Sequence, residues 1–529
     1  MTGSATTGST VDVLIVGAGP TGLSLAGQLI AHGITPRIVD RGHDRVHESR
    51  ALAIQPRTLE VLADLGVTPE LVANGNQGIR LVMHIGDRTL ALPLFDLGLE
   101  DTAYPYLLFL SQSETERVLE QHLEAAGTSV ERGTELIDAS STADGITATL
   151  RDRHGATERV TASYVVGCDG AHSTVRKLAQ IAFEGAAYAQ TFILADAEAD
   201  GLEPGSAHAF LAGTGMVFFF PLRTPASWRL LAMRPPTDRR PTDTEVTLDE
   251  VQAVADTYTG GRVRLHDAVW ATNFRLHHRG AAHYRAGRFL LAGDAAHIHS
   301  PVGAQGMNTG IQDATNIGWK LAHTILGRTG PELLDTYERE RAPVGRAVLS
   351  FTDRGFRIAT STSPIVRFAR TLLAPAVMPL ALKAKSVRGY AFRTMSQLAI
   401  RYRDSPLSTD GPGAPRGPRA GDRLPDASVV HNGQTTTLHT AMSAGGWRLL
   451  LCGPTDTWTG ERDGLSMYRL SARERPGCLH DRDGQALRRL GLAPDRQAQY
   501  LIRPDGHIGY RSGGTDLTGL TRYLQRWLP

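Results

Sequence analysis

Near the start of the chain, three glycines and an aspartate have the types and spacing to hold a dinucleotide. Gly17, Gly19 and Gly22 stand in Gly17-Ala18-Gly19-Pro20-Thr21-Gly22, a Gly-x-Gly-x-x-Gly turn. Gly17 allows a tight turn after a strand. Gly19 lacks the Cβ that would hold a pyrophosphate off the backbone, and Gly22 lets the next helix lie close to the strand. The N-terminus of that helix offers unpaired N–H groups and a partial positive charge to phosphate. Asp40 comes 18 positions after Gly22 (22 to 40), near the roughly 20 expected of a ribose-binding carboxylate. An ordinary strand–turn–helix, its glycines serving packing alone, is the competing reading. An apolar run before the turn and a helical pattern after it favour the dinucleotide, without separating FAD from NAD.

Elements must position these residues. The apolar run 11–16, the helical pattern 23–31 closing at Gly33, and a second strand at 35–40 make one βαβ unit. Helices are predicted at 57–65 and 114–126, stopped by Gly66 and Gly127. From 131 to 166 the pattern turns to short alternating strands, and 165–168 reads as a buried strand entering Asp169-Gly170. Residues 185–275 are strand-rich, 288–292 is another buried strand, and 307–326 is a long helix. Residues 346–404 read mostly as helix, and 410–421, rich in Pro, Gly and Arg, as a linker. A final α/β module has strands at 447–452 and 500–503. Parts of a βαβ fold at both ends of a strand-rich insert predict one discontinuous nucleotide domain holding a substrate domain.

With 529 residues the chain is too long for one core, and 41% hydrophobic residues place it among globular proteins. Lys and Arg number 56 against 54 Asp and Glu, a net charge of +2 that gives no electrostatic argument for nucleic acid. Cys168, Cys452 and Cys478 are too scattered for a disulfide framework or a metal site, which suits a reducing cytoplasm. The longest apolar run, 372–382, is too short for a membrane span and holds two prolines. Residues 1–10 lack the features of a signal peptide and read as a disordered tail.

Three further stretches resemble the class A flavoprotein monooxygenases, the FAD-dependent aromatic hydroxylases. Residues 288–297, Arg-Phe-Leu-Leu-Ala-Gly-Asp-Ala-Ala-His, resemble their "GD" motif. They lead into Pro301-Val302-Gly303-Ala304-Gln305-Gly306-Met307-Asn308. Residues 168–176, Cys-Asp-Gly-Ala-His-Ser-Thr-Val-Arg, resemble the "DG" motif, and Ser49-Arg50-Ala51 and Arg57-Thr58-Leu59-Glu60 match the segment after the second strand. The resemblance runs from about residue 11 to 402, more weakly to the C-terminus, and is nearest the polyketide hydroxylase and rifamycin monooxygenase branch. It implies FAD held by Gly17, Gly19, Pro20, Thr21, Gly22, Asp40, Arg41, Arg50, Gln112, Asp169, Gly293, Asp294, Pro301, Gly303, Gly306, Met307 and Asn308. Several of these have plain alternatives: Asp294 as an N-cap, Ser111–Glu114 as a capping box, Pro301 as turn chemistry. Ala304 stands where relatives often carry glycine.

The resemblance also implies the chemistry. NAD(P)H reduces the flavin, dioxygen adds to give a C4a-hydroperoxide, and an electron-rich aromatic ring takes the distal oxygen. The cofactor carries the hard steps, so no catalytic acid or base is assigned. By strand alternation Phe218 and Phe220 share one face, placing them against an aromatic substrate or, equally, in ordinary core. Residues from about 420 resemble a thioredoxin-like domain, but Cys452-Gly453-Pro454-Thr455 holds no dithiol. Its role is then structural or oligomeric, which leaves a homodimer open.

The expected fold class is therefore α/β. A discontinuous Rossmann-like FAD domain (1–178 and 276–345) holds an inserted β-sheet substrate domain (179–275). A helical segment (346–409) and a thioredoxin-like α/β domain without Cys-x-x-Cys (410–529) follow. The expected activity is hydroxylation of an aromatic, polyketide-like molecule in antibiotic or secondary-metabolite biosynthesis. Baeyer–Villiger oxygenation, epoxidation and hydroxylating inactivation of an antibiotic use the same framework, and a flavin-binding redox sensor is the non-enzyme rival. A flavin halogenase would need a Trp-x-Trp-x-Ile-Pro stretch, which the chain lacks.

Overall fold

The apolar strand Ser9–Val16 becomes the middle of a parallel sheet because both its faces are covered, its last four residues being buried. In this computed structural model, residues 9–528 are described apart from 46–50, 79, 87, 94–98, 213–214, 236–244, 300–303, 362, 370–383, 444 and 454–463. Five parallel strands follow the order Phe289–Leu291, Thr157–Gly167, Ser9–Val16, Arg37–Asp40, Val130–Arg132. The second strand in sequence lies on one side of the first, and Thr157–Gly167 on the other. The order thus reverses at Ser9–Val16, the place where open α/β sheets bind ligands at their carboxyl ends. Phe289–Leu291 pairs with Thr157–Gly167, two places from Ser9–Val16.

Helices Pro20–Ala31 and Gly306–Ile325 pack together on this sheet at glycines. A Cβ on Gly310 would come within 2.3 Å of Thr21 Oγ1, and one on Gly293 within 2.5 Å of the same atom.

A second sheet carries eight strands in the order His297–Ile298, Arg264–Ala281, Phe183–Asp200, Trp228–Met233, Gly215–Pro221, Ser206–Ala212, Arg80–Ile85, Arg88–Pro93. Helix Leu248–Thr259 covers one face, against Val217 and Phe219. Phe192, Phe218, Phe220, Leu231, Phe274 and Phe356 cluster on the opposite face.

The expected domain division differs from the observed elements at two boundaries and in one strand pairing. The break at 275/276 falls inside strand Arg264–Ala281, which pairs with Phe183–Asp200 from end to end. The break at 345/346 falls inside helix Glu332–Thr360, which continues past Pro343. Strands Arg80–Ile85 and Arg88–Pro93, from the segment expected to build the nucleotide domain, pair instead with the second sheet.

The C-terminal sheet also has eight strands, from Thr409–Asp410 at one edge to Gln434–Thr437 at the other. It docks on helix Gly306–Ile325, with Trp319 against Trp447, edge to face at 5.6 Å. Among the described residues no helix is long and apolar enough to cross a membrane, and no cluster of His, Cys, Asp and Glu could hold a metal ion.

Candidate active site

Three neighbouring parallel strands end together, and their carboxyl ends bring the distant motifs to one place. Gly17 follows Ser9–Val16, Cys168 and Asp169 follow Thr157–Gly167, and Gly293 and Asp294 follow Phe289–Leu291. Gly17 is left-handed at φ +105°, and a Cβ there would meet the carbonyl oxygen of Cys168 at 2.3 Å. Only glycine fits. Gly22 is equally confined: its Cβ would sit 1.9 Å from the carbonyl oxygen of Gly17. Gly19 differs. The nearest atom to a Cβ there is Oε1 of Glu116, at 4.0 Å. Packing does not demand a glycine at 19, so the missing side chain leaves room for something else.

Gly19, Pro20 and Thr21 line a cavity of about 560 Å³ with Gln112, Cys168, Asp294, Gly306 and Met307. The opposite wall is strand Arg264–Ala281 through Asn273, Phe274, Arg275, Leu276 and His277. Leu52, Ala53, His172, His299, Ala304 and Gln305 also line it.

Several expected site residues have protein partners. Asp40 accepts the N–H groups of Ala18 and Gly42, each at 2.7 Å. Gln112 donates to Glu116 at 2.8 Å and accepts from the N–H of Ala51 at 3.4 Å. Burial raises the Glu116 carboxyl to about 7, despite the Gln112 hydrogen bond. Asp169 accepts from the N–H groups of Thr174 and Val175 on one oxygen, while its buried Oδ1 has no protein partner. Burial raises its pKa.

The side chain of Asn308 is used within the protein. It accepts from the N–H of Gln55 and donates to the carbonyls of Ala53 and Ala304, each at 2.8 Å. It clamps the cavity wall rather than reaching into the space. Arg41 lies exposed after its strand. Arg50, Pro301 and Gly303 lie outside the described residues.

Phe218 and Phe220 stack on each other at 5.8 Å on the sheet face away from helix Leu248–Thr259, and Phe220 also packs near Phe109 and Ala304. The lining strand 273–277 went unnoticed in the sequence reading. Its one local signal is the alternation of polar Asn273, Arg275 and His277 with apolar Phe274 and Leu276.

The arrangement fits an adenine-linked flavin. Above Gly19 lies an open cradle at a helix N-terminus. Asp169, between the lining residues Cys168 and Gly170, keeps a buried carboxylate oxygen without a protein partner, and Asp294 is in the wall. Residues 10–352 match the FAD binding domain family, and residues 417–529 match the aromatic-ring hydroxylase C-terminal family. The chain is 36% identical over 535 residues to 6-methylpretetramide 4-monooxygenase from Streptomyces rimosus, covering 97% of this chain and 93% of that one. Against rifampicin monooxygenase from Streptomyces venezuelae the identity is 35% over 402 residues, covering 74% and 79%. The solved anhydrotetracycline hydroxylase from Streptomyces rimosus superposes with a TM-score of 0.75 at 32% identity, covering 98% of this chain and 99% of that one. With its own FAD binding domain and its match along the whole length of such enzymes, the chain belongs to the FAD-dependent aromatic hydroxylase family of monooxygenases.

Proposed function

We propose that this enzyme hydroxylates a phenolic, polyketide-like aromatic compound, taking reducing equivalents from NAD(P)H and one oxygen atom from dioxygen. One observation carries the reading. A single cavity has the dinucleotide turn on one side and strand 273–277 of the aromatic-faced sheet on the other. The similarity to tetracycline and rifampicin monooxygenases supports the substrate class.

Bound here, FAD supplies hydride acceptance and dioxygen activation. The residues present supply position and polarity. Gly17, Gly19 and Gly22 bring backbone N–H groups of helix Pro20–Ala31 to the pyrophosphate. Asp40 and Arg41 would serve the adenosine end, to which the resemblance also assigns Arg50. Asp294 would serve the ribityl side, and Asp169 and Gln112 would serve the cofactor as well. Gly306 and Met307 open helix Gly306–Ile325, whose start would favour negative charge on a flavin ring bound there; the resemblance assigns Pro301 and Gly303 to the same end. Phe218 and Phe220 offer ring faces to the substrate, and buried walls exclude water. The cytoplasm, which holds NAD(P)H, is the compartment that suits this chemistry.

The test is oxygen uptake and NAD(P)H oxidation with a panel of aromatic polyketides, the products read by mass spectrometry and NMR. A product one oxygen heavier with a new ring hydroxyl supports the proposal. A lactone or an epoxide would replace hydroxylation with another oxygenation. A flavoprotein that consumes neither NAD(P)H nor dioxygen with any of them would point to the redox sensor.

A further inference from the structure

The turn that presents Asp294 and the first turn of helix Gly306–Ile325 are fastened from behind by one buried chain of side chains. Oδ2 of Asp313 accepts from the N–H of Gly293 at 3.1 Å and lies 2.7 Å from Nε2 of His297. Its other oxygen accepts from Nε of Arg341 at 2.6 Å. Arg341 also donates to the carbonyl of Thr309 at 3.0 Å and to the hydroxyl of Tyr402 at 2.9 Å. Asp313 and Arg341 are fully buried.

Tyr402 is joined in turn to the C-terminal module. Its N–H donates to the carbonyl of Gly421 at 2.8 Å, its ring centre lies 4.3 Å from that of His507, and the Arg503 guanidinium sits 5.3 Å from its ring centre. Glu340, the residue before Arg341, serves a separate set of partners. It receives both Nη atoms of Arg503, at 2.7 and 2.8 Å, the Ser405 hydroxyl at 2.5 Å and Lys320 at 2.7 Å. Two neighbouring residues on one helix thus start two sets of side-chain hydrogen bonds, which meet where Arg503 packs over the Tyr402 ring and the N–H of Ser405 donates to the Tyr402 carbonyl, and the hydrogen bonds that reach Gly293 run through Arg341 and Asp313.

Gly293 is left-handed, at φ +62°. A glycine has little conformational preference of its own, so the hydrogen bond to Asp313 decides which way its peptide faces. The direction of Asp294 follows from that choice.

We propose that Arg341, acting through Asp313, is a positioning residue for FAD, and that the C-terminal module sets the enzyme's affinity for its cofactor through Tyr402. This rests on the cavity being the FAD site. A module with no dithiol would then have a task of its own: to hold the flavin turn in its binding shape. Charge-assisted bonds in a dry interior couple strongly along such a chain.

The test uses the full-length protein and three variants. Apoprotein is titrated with FAD, the midpoint potential of the bound flavin is measured, and thermal unfolding of the apoprotein is followed. Tyr402→Phe removes one hydroxyl and should weaken FAD binding by about fivefold. Arg341→Lys keeps the charge but cannot span Asp313, Thr309 and Tyr402 together, and should weaken FAD by about tenfold or more. Both should shift the flavin potential. Ser405→Ala breaks a buried hydrogen bond at the same junction, in the Glu340 network. It should lower the unfolding temperature yet leave FAD affinity and potential as in the unaltered protein.

If Tyr402→Phe lowers stability but keeps the unaltered affinity and potential, the coupling does not exist. Equal weakening of FAD by Ser405→Ala would mean general loosening and would also overturn it. Failure of the unaltered protein itself to take FAD would instead sink the cofactor assignment on which the proposal rests.

Discussion

The backbone N–H of Ala18 donates to Oδ2 of Asp40 at 2.7 Å, tying the glycine turn to the end of the neighbouring strand. The carboxylate expected to bind ribose is therefore also a structural tie, and its other oxygen holds the N–H of Gly42. Asp40→Ala should lose both effects together. FAD affinity should fall at least about tenfold, and the apoprotein should melt a few degrees lower. Fluorescence titration and a thermal melt measure the two losses, and full retention of FAD would remove Asp40 from the site.

Gly19 and Gly22 separate binding from folding. Gly22→Ala puts a methyl group 1.9 Å from the Gly17 carbonyl oxygen, so soluble, folded protein should be largely lost. Gly19→Ala meets no protein atom closer than 4.0 Å. It should fold and melt normally while binding FAD poorly, because the methyl group occupies the approach of the pyrophosphate. Normal flavin content in Gly19→Ala would contradict the placement of the phosphate there.

Glu116 should make stability depend on pH. Burial raises its folded pKa to about 7 from the ordinary 4.5. The folded state thus prefers the protonated acid. At pH below about 4.5 the group is protonated in both states and costs nothing. Between about 4.5 and 7 the unfolded state ionises first and stability falls as pH rises. Above 7 the penalty is constant, on the order of 3 kcal/mol. Glu116→Gln should remove this term, so its advantage should grow from pH 4.5 to 7 and then level off. Urea melts across that range provide the measurement; a difference that does not vary with pH would show that Glu116 is not the titrating group.

Arg229 and Asp196 form a fully buried pair with two contacts of 2.6 Å, and Arg229 also donates to the carbonyl of Ala51, beside the cavity. Arg229→Ala strands the Asp196 charge and should cost about 3–5 kcal/mol of stability in urea unfolding. A cost below about 1 kcal/mol would mean that water or another cation takes the arginine's place.

Neighbouring phenylalanines should divide by face. Phe219 is fully buried against helix Leu248–Thr259, so Phe219→Ala should cost about 3–5 kcal/mol of stability. Phe220→Ala should cost less stability but raise the KM for an aromatic substrate. Steady-state kinetics beside denaturant melts tests the division, and an unchanged KM in Phe220→Ala would remove that ring from the substrate site.

Local spacing was enough to read the cofactor turn. Gly17, Gly19 and Gly22 lie within six residues and Asp40 is one βαβ unit away, so type and distance along the chain carried the information, although the atom that excludes a side chain at Gly17 is the distant carbonyl oxygen of Cys168. Asp169 and Asp294 were singled out by the resemblance of their stretches to the "DG" and "GD" motifs rather than by spacing. Strand alternation also placed Phe218 and Phe220 on one face, because that period is set by the backbone. What fills each face, and which strands join which sheet, was decided in three dimensions. Nothing in the order of residues shows that Arg80–Pro93 pairs with the second sheet, that 273–277 walls the cavity, or that Asp313 and Arg341 share a hydrogen bond behind Gly293. Those partners meet because long-range burial and charge pairing select one packing among many compatible local patterns. Their energies depend on exclusion of water, which exists only once the whole chain has closed around them.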